Sequence, residues 1–189
     1  MQPLDPQQTA ARTWFDKSRA TLQPKPGTFS AAPASDGGAM FAVLDLEIKL
    51  APAQPKEVAQ QALKDAEAAT NGYPLSRALA RQYANAMINA GKLEDATRYL
   101  RDQVQLYRED PKLYDLLAKA YSSQGKVALQ HMALAESYVL AGALPAAVDQ
   151  LNFARKAKDV SFYEQSVIDA REREIKARQK EEKEEEKGK

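Results

Sequence analysis

Three glycines divide the second half of the chain at regular intervals. Gly91 and Gly125 are 34 residues apart, and Gly142 follows Gly125 after 17 residues, half of that interval. The segments between them carry apolar residues at helical spacing, and glycine is the residue that most often ends a helix. A helix pair repeated every 34 residues can bury its apolar face only against the next pair. The spacing therefore predicts a stack of helix pairs.

The residues around these glycines repeat in register, with small residues where two helices cross closely and large ones where they interlock. A first copy contains Tyr83, Ala84, Gly91, Leu93, Ala96 and Leu100. The second copy is irregular at Gln130, and a frame shifted by half a repeat restores the pattern from His131 to Ala154. This register is typical of tetratricopeptide (TPR) repeats. We predict an all-α, TPR-like helical repeat in which antiparallel helix pairs form a right-handed superhelical array.

Composition along the chain predicts three regions. Residues 1–38 contain a short helix, at 5–22, and a flexible linker rich in Pro, Ala and Gly. Residues 39–170 form the helical repeat domain. Residues 171–189 form a charged C-terminal helix extension, which is supported by pairs of opposite charge four residues apart, Glu172 with Lys176 and Glu174 with Arg178.

One stretch near the start of the repeat domain, residues 39–52, fits either helix or strand. Leu44, Leu46, Ile48 and Leu50 alternate with charged residues in the period of a half-buried strand. Nothing else in the sequence resembles a partner strand, and a lone strand would leave its backbone groups without hydrogen bonds. We therefore predict a helix here.

The charge and the termini restrict the partners and the compartment. Lys and Arg number 27 against 26 acidic residues, so the net charge of +1 provides no basic field for nucleic acid. The chain has no cysteine, which excludes disulfides and thiolate metal sites. It also has no apolar run near the roughly 20 residues that span a bilayer, which argues against direct membrane insertion. The start, MQPLDPQQTAARTW, lacks the features of a secretory signal. We expect either a cytoplasmic protein or a piece of a longer one.

The single histidine, His131, is the most obvious candidate for chemistry. A zinc peptidase of the HExxH type needs two histidines one helical turn apart. Glu136 lies five residues after His131, about 140° around a helix, so the two side chains do not converge. The sequence also has no GxSxG, P-loop or dinucleotide-binding glycine motif. We predict a packing role for His131, and no catalytic residue, cofactor or metal in this chain.

Helical repeats bind proteins on the concave face that their first helices line. Six residues are predicted to form this partner-binding face: Arg81, Asn85, Asn89, Asp115, Lys119 and Ser122. Arg81 and Asn85 stand where some TPR proteins hold the carboxylate of a peptide C-terminus. Leu116, Leu129 and Ala133 occupy places where the rest of such a clamp needs polar groups. An ordinary polar surface is therefore favoured over a carboxylate clamp.

Three stretches carry a more specific resemblance: DLLAKAY (115–121), AESYVLAGALPAAVDQL (135–151) and IDAREREI (168–175). Over roughly residues 72–180 the chain resembles the C-terminal TPR domain of the β-barrel assembly-enhancing proteases, a family of periplasmic HExxH metallopeptidases. The resemblance implies a periplasmic, non-catalytic domain whose parent is a zinc metalloendopeptidase. It also implies protein partners: the outer-membrane barrel assembly machinery, client outer-membrane proteins and the parent's own catalytic domain.

Three functions stay open at this point. The chain is a protein-interaction module, or a part of an enzyme whose zinc domain lies upstream, or a free-standing TPR scaffold or co-chaperone in the cytoplasm. An HExxH helix upstream in the parent gene would distinguish the second from the third.

Overall fold

The computed structural model describes residue 10 and residues 12–18, 36–51 and 55–187. Within these ranges every regular element is a helix. The helices are α1 (12–18), α2 (Asp36–Lys49), α3 (Lys56–Gly72), α4 (Arg77–Asn89), α5 (Leu93–Leu106), α6 (Pro111–Ser123), α7 (Val127–Leu140), α8 (Leu144–Lys156) and α9 (Phe162–Lys187). The all-α prediction is confirmed, and the TPR-like superhelical arrangement stays a prediction.

The ambiguous stretch at 39–52 is helical, as predicted, from Asp36 to Lys49. Helix α2 begins three residues before the predicted boundary at 39, so Gly37 and Gly38 are helical and do not belong to a linker. An added Cβ at Gly38 would lie 2.1 Å from the Tyr73 hydroxyl, so a larger residue there would require the Tyr73 side chain to shift. Residue 10 is also helical, and the rest of the predicted linker and of the predicted helix at 5–22 lies outside the described residues.

The chain divides into two compact units, residues 1–90 and 91–189. In the first unit, α2, α3 and α4 pack against one another. Its core contains Leu46, Leu50, Ala62, Ala66, Leu79 and Ala86. The two alanines of α3 are fully buried, and such small side chains let helices approach closely. Helix α1 joins the unit through Phe15, which is buried and lies 6.0 Å from the ring of Phe41.

A cluster of charges connects three helices of the first unit. Lys49 Nζ lies 2.5 Å from both Asp45 and Asp65, and Arg12 Nη1 lies 2.8 Å from Asp45. Desolvation lowers the pKa of Lys49, but the hydrogen bonds to Asp45 and Asp65 outweigh it and the pKa is raised. Desolvation likewise raises the pKa of Asp65, and the hydrogen bonds from Lys49 and Gln61 reverse that and leave it lowered. Lys49 and Asp65 are thus both held in their ionised forms near neutral pH.

In the second unit, each helix from α5 to α9 packs against the next, and α9 also contacts α7. One core cluster contains Ala135, Val139, Leu144, Ala147, Leu151, Ala154, Ile168 and Ile175. Ile168 and Ile175 are seven residues apart, two helical turns, and therefore lie on one face of α9. The boundary predicted between residues 170 and 171 falls within this continuous helix, whose Ile175 is only 2% exposed.

The glycines that set the repeat spacing end helices α4, α6 and α7. Gly91, Gly125 and Gly142 have φ of +77°, +73° and +75°, in the left-handed region that side chains with a Cβ rarely adopt. Asp110 caps α6 by accepting a hydrogen bond from the backbone N–H of Lys112, and Pro111 is the first residue of that helix. The start of α6 and the ends of α4, α6 and α7 thus follow from residues visible in the sequence.

Candidate protein-binding site

The predicted partner-binding residues of the first unit lie on α4. Arg81, Asn85 and Asn89 are spaced four residues apart, so they share one face of the helix. Arg81 and Asn85 are half-buried and Asn89 is exposed.

The predicted residues of the second unit lie on α6, where Asp115, Lys119 and Ser122 are exposed on one side of the helix. Partial desolvation of the ammonium group lowers the pKa of Lys119, although the residue as a whole is exposed. Both sets of residues stay predictions of a binding face.

A concave feature of the second unit lies next to the α6 residues. It is a cavity of about 200 Å³ between α6, α7, α8 and α9, and it is lined mostly by apolar side chains. The lining residues are Tyr114, Leu117, Tyr121, Leu129, Met132, Ala133, Glu136, Leu151, Val167, Ile168 and Arg171. Leu129 and Ala133, which stand where a carboxylate clamp would need polar groups, are therefore walls of an apolar cavity.

Two charged side chains form the polar part of this lining. Arg171 on α9 donates from Nε to one carboxylate oxygen of Glu136 at 2.8 Å and from Nη2 to the other at 2.7 Å. This two-point pairing raises the pKa of Arg171, although desolvation acts against it. Burial and the Glu136 carboxylate raise the pKa of Tyr114, which stays a neutral phenol. The pair connects α7 to α9 beside the cavity, so the charges are matched within the protein.

The loop before α9 is fixed to the start of α7. Lys126 precedes α7 without a side-chain cap, and Asp159 from this loop accepts a hydrogen bond from the backbone N–H of Ala128 at 3.2 Å. A carboxylate at a helix N-terminus satisfies an otherwise unpaired donor. Asp159 therefore positions the beginning of α9 relative to α7 and, with it, the wall of the cavity.

The single histidine packs within the second unit. The His131 ring lies 5.4 Å from the ring of Phe153, and its Nδ1 is 2.8 Å from Oε1 of Gln150. Glu136 pairs with Arg171 and not with His131. This agrees with the angle of about 140° around the helix, which predicted that the side chains of His131 and Glu136 would not converge. No group of three or more His, Cys, Asp or Glu side chains among the described residues is placed to hold a metal ion.

The cavity residues Tyr114, Glu136 and Arg171 were not identified as site residues from the sequence. The sequence does indicate that Arg171 is unusual, because it lies three residues after Ile168 and four before Ile175, on the apolar face of α9. A charged residue at such a position needs a partner, and the sequence did not specify that Glu136 would provide it. In the described part of the chain no helix is long and apolar enough to cross a membrane.

No family model matches this chain. Curated relatives include the β-barrel assembly-enhancing proteases of Escherichia coli K12, Shigella flexneri and Escherichia coli O157:H7, each 28% identical to this chain over 157 residues. The match covers 83% of this chain and 30% of each relative, so the chain spans about a third of the length of these proteins.

Proposed function

We propose that this chain is a non-catalytic protein-binding module with a TPR-like array of helix pairs. The observation that carries the proposal is the open apolar cavity between α6, α7, α8 and α9. Apolar side chains such as Leu129 and Met132 line it, and its charged residues, Glu136 and Arg171, neutralise each other. Burial of an apolar side chain of a partner in such a concavity stabilises the complex.

The similarity to β-barrel assembly-enhancing proteases supports a role in the assembly of β-barrel proteins. We propose that the partners are client outer-membrane proteins, the barrel assembly machinery and the parent's own catalytic domain, and that the module acts in the periplasm. The extended segments of an unassembled barrel alternate apolar and polar side chains, and their apolar side chains suit this cavity.

A second candidate function follows from the name of these relatives, which are proteases. In that case the chain is the non-catalytic part of a metallopeptidase, and zinc belongs to a domain upstream. The parent gene then encodes an HExxH motif before this region. A gene without that motif would favour the free-standing scaffold or co-chaperone.

The proposal is tested by binding of an unfolded β-barrel protein. A fluorescently labelled outer-membrane barrel is diluted from urea into solutions of the full chain, and binding is measured by fluorescence anisotropy. Ala133→Leu fills the cavity from α7, and we expect it to weaken binding at least tenfold because an apolar side chain loses its site. Arg81→Ala and Lys119→Ala test the predicted polar face in the same assay.

The matched control is Ala170→Leu, the same change at an exposed position of α9 that does not line the cavity. It is expected to leave binding unchanged, and thermal unfolding followed by circular dichroism verifies that both variants fold. Failure of the unmodified chain to bind the unfolded barrel would overturn the proposal. Equal binding by the two leucine variants would exclude the cavity as the site.

A further inference from the structure

A second cavity adjoins the first. It has a volume of about 470 Å³ and lies between α5, α6 and α7, and two residues, Tyr121 and Leu129, line both cavities. Tyr121 is mostly buried between the two. Burial raises the pKa of Tyr121, and the charge of Arg101, which lines the same cavity, acts against that rise. The two cavities are therefore neighbours that share the side chains of Tyr121 and Leu129.

The second cavity differs from the first in its charge. Its lining includes three cations, Arg98, Arg101 and Lys126, against two carboxylates, Glu94 and Asp102, which leaves one net positive charge.

The cations of this cavity are weakly held. Arg98 lies 3.5 Å from Asp95 and Lys126 lies 4.0 Å from Glu94, at exposed positions where such pairs contribute little. No ion pair or hydrogen bond engages Arg101 within the described part of the chain. These cations are available to a carboxylate from a partner.

The first cavity fits a single side chain. Its volume of about 200 Å³ is below the range of roughly 300–1,000 Å³ that is usual for sites of drug-sized ligands. An aromatic or large aliphatic side chain is the natural occupant, since the walls are apolar. In an extended peptide the side chains of residues i and i+2 point the same way and lie about 6.6 Å apart. A peptide with one side chain in the first cavity therefore directs the side chain two residues later to the same surface, where the second cavity shares Tyr121 and Leu129 with the first.

From this juxtaposition we infer that the second unit recognises an extended peptide segment with an aromatic side chain at one position and an acidic side chain two residues later. The aromatic ring enters the cavity between α6, α7, α8 and α9. The carboxylate reaches Arg101 and Lys126 in the neighbouring cavity. This inference rests on the proposed protein-binding function and specifies the chemistry of the segment that the same site takes.

The test uses four labelled octapeptides with acetylated and amidated ends. The first, Ser-Gly-Ser-Phe-Thr-Asp-Ser-Gly, contains both determinants, and the others replace Phe by Ala, Asp by Asn, or both. Anisotropy titrations with the full chain measure their dissociation constants. We expect Phe to Ala to weaken binding at least tenfold and Asp to Asn to weaken it about two- to fivefold, as for a partly exposed ion pair. A fifth peptide with Asp next to Phe tests the spacing and is expected to bind like the Asn peptide.

Two protein variants identify the cation. Arg101→Gln should reduce the affinity for the Asp peptide toward that of the Asn peptide, because only Lys126 then remains for the carboxylate, with no effect on the Asn peptide itself. Lys156→Gln removes the same charge at an exposed position of α8 that lines neither cavity, and it should change neither affinity. The inference is overturned if the peptides bind equally, or if Arg101→Gln weakens the Asp and Asn peptides by the same factor.

Failure of this inference is distinguishable from failure of the proposed function. If the chain binds an unfolded barrel and Ala133→Leu abolishes that binding, while the peptides show no preference for the acidic residue, the module stands and the recognition rule is wrong. If neither the barrel nor any peptide binds, both are wrong.

Discussion

The ion pair between Glu136 and Arg171 should be a measurable part of the stability of the second unit. Its two hydrogen bonds, at 2.8 and 2.7 Å, join α7 to α9, and the side chains are 30% and 33% exposed. Exposed pairs contribute about 0.2–1 kcal/mol. Two charges 4 Å apart attract by about 4 kcal/mol at an effective dielectric constant near 20, before any desolvation cost. A partly buried, two-point pair lies between these values, and we expect a coupling of about 1.5 kcal/mol.

A double-mutant cycle isolates this coupling. Glu136→Ala, Arg171→Ala and the double variant are unfolded in urea, which leaves the ionic strength unchanged, and the free energies of unfolding are compared. The same arginine provides the control, because its Nη1 also donates to Glu174 at 2.7 Å, and the Glu174 side chain is 65% exposed. The coupling with Glu174 should be about 0.3 kcal/mol. Equal couplings, or one below about 0.5 kcal/mol for Glu136, would refute the assignment of this pair as the tie between α7 and α9.

Three further predictions concern the core, the helix ends and the pH range. Leu151→Ala should cost about 3 kcal/mol of unfolding free energy in urea titrations, since Leu151 is buried in the core and its removal enlarges the adjoining cavity; a cost below 1 kcal/mol would contradict that packing. Gly142→Ala should lower the free energy of unfolding by about 1 kcal/mol because of its positive φ. Gly72→Ala, where a Cβ meets nothing within 4 Å and φ is not positive, should raise it by about 0.5 kcal/mol. Thermal unfolding compares the two variants, and a change of stability in the same direction for both would be inconsistent with the backbone described. The lowered pKa of Asp65 predicts stability that is present above pH 3.8 and lost as the pH falls through its folded pKa, and the raised pKa of Lys49 predicts stability that is present below pH 10.5 and lost as the pH rises through its folded pKa. Asp65→Asn should reduce the loss of unfolding free energy at acid pH. An unchanged loss in this variant would show that the Asp65 carboxylate does not cause it.

Much of the secondary structure could be predicted because it depends on local chemistry. Gly91, Gly125 and Gly142 end helices with a left-handed backbone conformation. Glycine adopts this conformation without steric cost, so the residue type alone predicts the helix end. The stretch at 39–52 was resolved correctly in favour of helix by the absence of a partner strand. Its start was placed too late, at 39, because two glycines at 37 and 38 suggested a linker. Gly38 instead makes room for Tyr73, a contact between residues 35 positions apart that no local pattern reveals.

The charges on α9 show the same limit. Lys176 pairs with Glu172 at 2.5 Å, as the spacing of four predicted. The second predicted pair is wrong, because Arg178 pairs with Glu182 and Glu174 pairs with Arg171. Several acidic residues lie within reach of each cation on a helix so rich in charge, and spacing alone does not choose among them.

The cavity could not be predicted because its residues come from four helices. Tyr114, Met132 and Arg171 are far apart in the sequence, and each alone fits an ordinary helical face. What brings them together is the packing of α9 against α8 and α7, together with the pairing of Arg171 with Glu136 and the hydrogen bond from the start of α7 to Asp159. The residues predicted on α6, Asp115 and Lys119, do not line the cavity. The prediction selected exposed polar positions, whereas the cavity is lined by partly buried apolar ones.

Methyl NMR of the methionines tests most directly whether the cavity binds an extended protein segment. The chain has four methionines; Met132 lines the cavity, Met87 is buried in α4 and Met40 is exposed on α2. A chain labelled with ¹³C at the methionine methyl groups is titrated with a synthetic peptide of one outer-membrane β-barrel strand. We predict that the Met132 signal shifts in a saturable way while the signals of Met40 and Met87 stay in place, and that Ala133→Leu abolishes the shift. Saturable binding of the peptide with an unchanged Met132 signal would contradict the cavity as the site.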